Sequence, residues 1–406
     1  MKISNKKITR FLIAISAIAL FGGCKKFLDR EPLGIAQLDL NVGALEGKTV
    51  GLYGAIRNSA AQPYCGDGFQ GIAYVAMNGF RSDDAEIVSD PGASAWHQTY
   101  DNFQYTKDDW GAGLYWDKHF IFVGLCNDIL DDAVKQNLTD PASMINTAEA
   151  RFFRAYAYFD LVRTYGAVPK IDFKINTPAD GNVAKSDTAA IYALINDDLT
   201  FAEQNLPIVW EAKFAGRANK WAAKALHAKV LLQQRRYAEA LPICKDIINN
   251  GPYQLYTPYW KMFKKEGELC SESIFEIQAA KTAGDGNTYW SRLGQCQGVR
   301  GSGTWDLGWG WNTPTTNLVG TYEAGDVRKD ATILFSNQSD GGTNTGGYGL
   351  TLPNLTNALY WNKKVYNQYS DYLANGLGTP ENESQNTWVN QRVLRLSDVL
   401  LMGAEA

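Results

Sequence analysis

The stretch from Ile145 to Tyr165 constrains this chain more than any other. Phe152, Ala155, Tyr156 and Phe159 recur at i, i+3, i+4 and i+7, the spacing that lines one face of a 3.6-residue helix. Gly166 follows at a C-cap position and Pro169 stands just beyond, a stop signal. A face of large rings must be covered, and the following sequence offers the cover. Asp187 is placed to cap a second helix running to about Asn205, ended by Leu206-Pro207. A third runs from about Ala218 to Arg236, with Trp221, Ala225, Ala228 and Leu232 in register. A fourth, Tyr237–Asn250, is closed by Gly251-Pro252. These are antiparallel-sized pairs joined by short turns, and Ala222, Ala223, Ala225 and Ala228 permit close helix contact. The fold class this predicts is mainly α: a tetratricopeptide-like helical hairpin scaffold, although the strict repeat consensus is absent. An irregular helical bundle fits the same periodicity.

From Ser271 to Gln385 the texture changes. Ser273–Ala279 alternates like a strand, Ile274, Glu276 and Gln278 against Phe275 and Ile277. Long stretches rich in Gly, Asn, Thr and Trp follow, such as Gly298–Asn312 and Asn337–Gly349. Loops of this length in a compact protein are usually functional or mobile, and 271–385 is expected to be irregular and loop-rich, with a few short strands. Helical texture returns over Arg392–Ala406, with Val393, Leu396 and Leu400 in register. The sequence stops inside that helix without a cap, so a further C-terminal part is expected.

The N-terminus carries Lys2, Lys6, Lys7 and Arg10, an apolar run from Phe11 to Phe21, then Gly22, Gly23 and Cys24. A basic region, an apolar region and small residues before a cysteine read as a lipoprotein signal. The run is shorter than the ~20 residues a spanning helix needs. Cys24 becomes the lipidated N-terminus, held stably by more than one acyl chain. The competing reading is a secretory signal with an incidental cysteine. The boundaries expected are 1–23 signal, 24–47 lipidated N-terminus and tether, and 48–406 one domain. Within that domain, 48–270 is mostly helical, 271–385 loop-rich and 386–406 the start of a C-terminal helical part. Cleavage before Cys24 removes four basic residues and no acidic one, so the net charge of −4 deepens to −8. That argues against nucleic acid as a partner, which needs a basic surface. Five further cysteines, Cys65, Cys126, Cys244, Cys270 and Cys296, leave an odd count. Cys126 and Cys244 are expected as buried thiols. Cys270 and Cys296 could be bridged in an oxidising compartment, a pairing the sequence alone leaves open.

Three segments together resemble the SusD/RagB family of nutrient-binding outer-membrane lipoproteins of Bacteroidetes. They are Glu149–Pro169 (EARFFRAYAYFDLVRTYGAVP), Gly216–Leu232 (GRANKWAAKALHAKVLL) with Tyr237–Tyr253 (YAEALPICKDIINNGPY), and Arg392–Ala406 (RVLRLSDVLLMGAEA). Cys24 with Phe27-Leu28-Asp29 is similar to the family's start. The resemblance implies a helical scaffold with an irregular ligand-binding face. It implies a position on the outer membrane facing outward, as a lid on a TonB-dependent transporter of the SusC type. It implies capture of a glycan and delivery to that transporter; the reading is non-catalytic and calls for no cofactor.

Glycan binding needs flat apolar rings with hydrogen-bonding groups around them. The chain has 12 Trp, 21 Tyr and 17 Phe, a surplus that suggests exposed rings beyond a core. The first candidate is Trp305-Asp306-Leu307-Gly308-Trp309-Gly310-Trp311-Asn312. Trp305, Trp309 and Trp311 would fall on one side if the segment were extended. The plain alternative is a Trp-rich strand packed into the core. The second candidate is Arg81–Tyr100, with Trp96, His97 and Tyr100 near Arg81, Asp83 and Asp84. The resemblance implies that the loop after Ser82-Asp83-Asp84 contributes to the binding face. Otherwise Asp83 and Asp84 merely cap a helix or turn. The third is Asn287-Thr288-Tyr289-Trp290, close to Arg292.

Catalytic signals are thin. His97, His119 and His227 are too widely spaced for a metal motif, and His227 reads as a core residue. No zinc-protease or nucleophile-elbow pattern occurs. Gly43–Thr49 is one residue short of a phosphate-binding loop. A surface glycoside hydrolase remains the competing enzyme reading, because its paired carboxylates meet only in space. A scaffold that binds only protein or peptide is the third.

Overall fold

The computed structural model describes residues 43–57, 64–87, 95–280, 291–374 and 388–406. Cys24, the signal and most of the tether fall outside them, as do Tyr289 and Trp290. The described helices are α1 (Glu46–Arg57), α2 (Gly66–Phe69), α3 (Ile72–Asn78), α4 (Ala95–Asp101), α5 (Trp110–Lys135), α6 (Pro141–Tyr165), α7 (Thr188–Asn205), α8 (Lys220–Gln233) and α9 (Tyr237–Asn250). Short helices α10 (Leu293–Gln297), α11 (Thr316–Thr321), α12 (Val327–Thr332) and α13 (Tyr369–Ala374) lie in the loop-rich part, and α14 (Leu396–Glu405) comes last. The fold is mainly α, with tetratricopeptide-like hairpins. Consecutive long helices from α5 to α9 pack side by side, and α14 packs on α8 and α9.

Capping side chains open the long helices, Asp187 where the sequence puts it, Asp140 and Asn219 where the sequence reading named none. Asp140 accepts from the Ser143 amide at 3.0 Å and Pro141 opens α6. Asp187 accepts from Ala190 at 2.8 Å to start α7, and Asn219 accepts from Ala222 at 2.9 Å to start α8. Each satisfies an orphan backbone donor of the first turn. Gly166 ends α6 with φ +73, a backbone position that glycine takes at no steric cost.

Helix α6 is buried far beyond the one face its periodicity predicts. Phe153, Ala157, Tyr158 and Leu161 are buried together with Phe152, Ala155, Tyr156 and Phe159. The reason is its position between α5 and α7, which cover it from two sides. Polar residues on so buried a helix must be paired. Arg154 donates to both carboxylate oxygens of Asp198 on α7, at 2.7 and 2.8 Å, and to Asn127 on α5 at 2.9 Å. One guanidinium therefore ties three helices. Glu149 is likewise met by Arg217, whose Nε donates at 2.9 Å, and by the Tyr53 hydroxyl.

The strands are short and paired two by two. They are β1 (Ala85–Glu86), β2 (Val168–Pro169), β3 (Lys185–Ser186), β4 (Ser273–Ile277), β5 (Thr313–Pro314), β6 (Ile333–Phe335), β7 (Tyr360–Asn362) and β8 (Gln391–Arg395). All four pairings, β1 with β5, β2 with β3, β4 with β8 and β6 with β7, are antiparallel.

Two expectations are corrected. The Arg392–Ala406 segment is not one helix. Its first part is β8, because Leu394 and Arg392 pair with Phe275 and Glu276 on β4, and Leu400 faces out while Leu396, Val399 and Met402 are buried. The alternation expected for β4 does not separate a wet face from a dry one, since Ile274, Phe275, Glu276 and Ile277 are all buried. Cys270 and Cys296, whose pairing the sequence leaves open, form no bridge, and Cys65, Cys126, Cys244 and Cys296 are fully buried. His227 is half-buried and paired with Glu203, Nδ1 to Oε1 2.6 Å.

Candidate functional site

Arg81 and Trp311 are 230 residues apart in sequence, yet one small sheet brings their segments together. Ala85 and Glu86 of β1 pair with Pro314 and Thr313 of β5. Thr313 Oγ1 donates to the Glu86 carbonyl at 2.7 Å, and Thr315 donates through its amide and hydroxyl to the carbonyls of Asp84 and Asp83, at 3.0 and 2.7 Å. Asp83 and Asp84 thus hold the sheet through their backbone, and their side chains stay exposed.

The tryptophan segment is not extended, so its spacing does not align the three rings. Gly303–Trp305 is a short 3-10 turn, and the chain then wraps around α10. Trp309 donates its amide to the Gln295 carbonyl at 2.7 Å and Trp311 to Cys296 at 2.9 Å. Gly308 lies so close to Gly298 that a Cβ would stand 2.6 Å from its Cα. Trp305 is carried into a separate cluster with Val299, Leu307 and Leu352, its ring parallel to Tyr366 with centroids 6.4 Å apart. Trp309 and Trp311 go the other way. Their rings meet at 4.6 Å, and Trp311 contacts Trp96 at 5.5 Å, His97 at 4.6 Å and Phe80 at 6.4 Å.

Trp96 also reaches Trp110, at 4.6 Å, which opens α5 and is 46% exposed. Trp96, Trp309 and Trp311 are half-buried. Arg81 stands over the rings of Tyr105 at 5.5 Å and Phe103 at 5.8 Å, and Phe103 is 61% exposed. The result is a partly exposed aromatic face from four separate segments, with a guanidinium at one end. Tyr100 is fully buried, so it does not line the face. Its hydroxyl donates to Asp109 and accepts from the Ala112 amide at 3.0 Å, and its ring stacks under Tyr105 at 4.9 Å. Burial, with the Asp109 hydrogen bond and charge, pushes the Tyr100 hydroxyl well above its ordinary range. It is a prop for Tyr105. Glu86, at the end of β1, is also raised, first by burial and then by the charge of Asp101.

Sequence reasoning finds Arg81, Trp96, Trp309 and Trp311 but not Trp110, Phe103 and Tyr105. Trp110 had a readable signal. It follows Asp109, whose side chain accepts from the Gly111 amide at 3.1 Å as an N-cap, and a large ring at the first position of a helix lies before the buried stripe begins. Phe103 takes φ +54 in the turn after α4, and nothing local in the sequence announces that.

The family described as "Starch-binding associating with outer membrane", SusD-like_3, matches residues 71–232. SusD-like protein P2 of Formosa agariphila is 25% identical over 98% of this chain and 77% of its own length. Among solved structures, a laminarin binding SusD-like protein superposes with a TM-score of 0.73 at 24% identity, covering 88% of this chain and 78% of that one. Surface glycan-binding protein A from Bacteroides thetaiotaomicron, in complex with laminarihexaose, has a TM-score of 0.69 at 21% identity, covering 89% and 77%. These structures share the fold. The chain is similar to the SusD-like family in sequence over residues 71–232 and shares the fold of these structures.

Proposed function

We propose that this chain binds an extracellular glycan on the face of Trp96, Trp110, Trp309 and Trp311, with Arg81 at its edge, and does not cleave it. The observation that carries the reading is four half-exposed indoles in ring contact, brought from three parts of the chain by the β1–β5 pairing. Stacked rings offer area at little side-chain entropy cost, which is why aromatics dominate binding hot spots. The glycan-binding relatives and the family's outer-membrane description support it. The finer parts belong to the same proposal. Cys24 carries the lipid, residues 24–47 tether the body that follows, and a SusC-type TonB-dependent transporter of the outer membrane receives the glycan. Tyr289 and Trp290, outside the described residues, are a separate proposed contact.

Laminarin is the first glycan to test, because it is the ligand named for two of the structural relatives. Quenching of tryptophan fluorescence by laminarin, lost in Trp96→Ala and Trp309→Ala, is the expected result. A panel of polysaccharides that leaves the fluorescence unchanged would overturn the reading, and release of reducing ends would move it to the hydrolase.

A further inference from the structure

A cavity of about 280 Å³ lies between α3, α10, the Asn362–Val365 segment and β8. Its wall is unusual in composition. Six carboxamides line it, Asn78, Gln297, Asn312, Asn362, Asn390 and Gln391, with two cations, Lys364 and Arg392, and no carboxylate. The amides are partly wired to one another: Gln297 Oε1 accepts from Asn312 at 2.8 Å and from Asn362 at 2.9 Å. Two acceptors, Asn312 Oδ1 and Gln391 Oε1, are buried without a protein donor, a state that in native proteins usually marks a missing water, ion or ligand.

The cations differ. Arg392 is engaged: it donates to the carbonyls of Asn390 at 2.7 Å and Lys264 at 3.0 Å, and its Nε lies 3.6 Å from Glu276. Lys364 is not. Its ammonium stands 4.7 Å from the Phe263 ring centroid, and among the described residues its side chain makes no hydrogen bond or ion pair. Burial, helped by the charge of Arg395 and opposed by that of Asp84, pushes its pKa down to about 8. A half-buried charge without an anionic partner is costly, and a ligand that brings a carboxylate would lower that cost.

We propose that this cavity is a subsite for a single acidic sugar, a hexuronate whose carboxylate pairs with Lys364 and whose hydroxyls meet the surrounding carboxamides. A cation is disfavoured by Lys364 and Arg392, and an apolar ligand would strip the amides of water without replacing it. A bare anion would leave most of the amide wall unused. The volume, at the low end for small-molecule pockets, suits one pyranose ring. The proposal rests on the saccharide-binding reading, since Asn78 and Asn312 adjoin the segments that carry Arg81 and Trp311.

The test is a ligand-observed NMR titration of the full chain with glucuronate, galacturonate and mannuronate, each beside its neutral hexose, and with acetate. At least one hexuronate should bind about tenfold or more tighter than its neutral hexose and than acetate, the range of a charge-assisted hydrogen bond. Lys364→Met should erase that preference, and Trp309→Ala should keep it. If Lys364→Met does not fold, Asn78→Asp, at an exposed position of the wall, should erase the preference by adding a carboxylate. The proposal is overturned if no hexuronate is preferred, if acetate binds as tightly, or if the charge-altering variant keeps the preference. Laminarin quenching measured beside it separates the two readings: hexuronate preference lost with quenching intact sinks only the subsite.

Discussion

Phe159 and Trp309 are both aromatic residues in packed clusters, and they are held in opposite ways. Phe159 belongs to a helix whose caps and period are local, and its ring is 2% exposed among neighbours from the flanking helices. Trp309 belongs to a segment with no period, held by a backbone hydrogen bond to Gln295 and by a glycine contact. Its ring is left half in water against other indoles. The scaffold spends its rings on burial, and the face leaves part of each ring open. Rings that stay open are available to a ligand, and rings that are closed hold the fold.

The largest effect should come from breaking the closed side. Phe159→Ala should cost about 3–5 kcal/mol of stability, the usual range for a buried Phe truncation, read from denaturant unfolding. An unchanged midpoint would mean that the scaffold and the face are not distinguished by burial at all. On the open side, Trp110→Ala should cost about 1–3 kcal/mol of laminarin affinity, by analogy with base–aromatic stacking. Its melting temperature should hardly move, because the ring is 46% exposed. Trp311→Ala should lose both affinity and stability, since its ring also packs on Phe80 and the buried His97. Calorimetric titration with melting curves would place each ring on one side or the other.

The difference between the regions also decides what the sequence could reveal. The long helices were legible because period and stop lie within one segment: Phe152, Tyr156, Phe159 and Gly166 all belong to α6 or its flank, although the Asp140 cap and Pro141, before the expected start at Ile145, went unread. The extra burial of Tyr158 and Leu161 was not legible, because it depends on α5 and α7. The β8 segment was read as helix because Val393, Leu396 and Leu400 keep helical spacing, while its partner on β4 lies more than 110 residues earlier. At the face, indole content marked the segments that supply the clustered rings. Which indoles meet was set by the β1–β5 pairing and by the wrap around α10, both long-range. Trp305 was therefore grouped with Trp309 and Trp311 by spacing and separated from them by folding.

A pH experiment probes the seam between the regions. Glu268 lies beside β8 and accepts from the Asn390 amide at 3.2 Å. Burial pushes its carboxyl up to about 7, with the charge of Glu276 adding and the Asn390 amide and Arg392 opposing. An acid with a raised pKa holds its proton more tightly in the folded state. Stability is therefore lost as pH rises from the unfolded value, about 4.3, toward 7, and the loss is complete above that. Glu268→Gln keeps the acceptor and removes the charge. It should melt higher than the parent at pH 8 and at the same temperature at pH 4. Equal melting at both pH values would show that the seam is open to water.

The smallest effect on binding, and the sharpest test of the division, is expected at Trp305. Its ring is parallel to Tyr366 and packs with Leu307 and Leu352, and among the described residues it makes no ring contact with Trp309 or Trp311. If the face is the cluster around Trp96, then Trp305→Ala should leave laminarin affinity within about 0.5 kcal/mol, the scatter expected for independent sites. It should still lower the melting temperature, because the ring is half-buried against a core cluster. A loss of affinity as large as that of Trp110→Ala would mean that the glycan spans both clusters. The contrast between open and closed rings would then run within single residues as well as between regions.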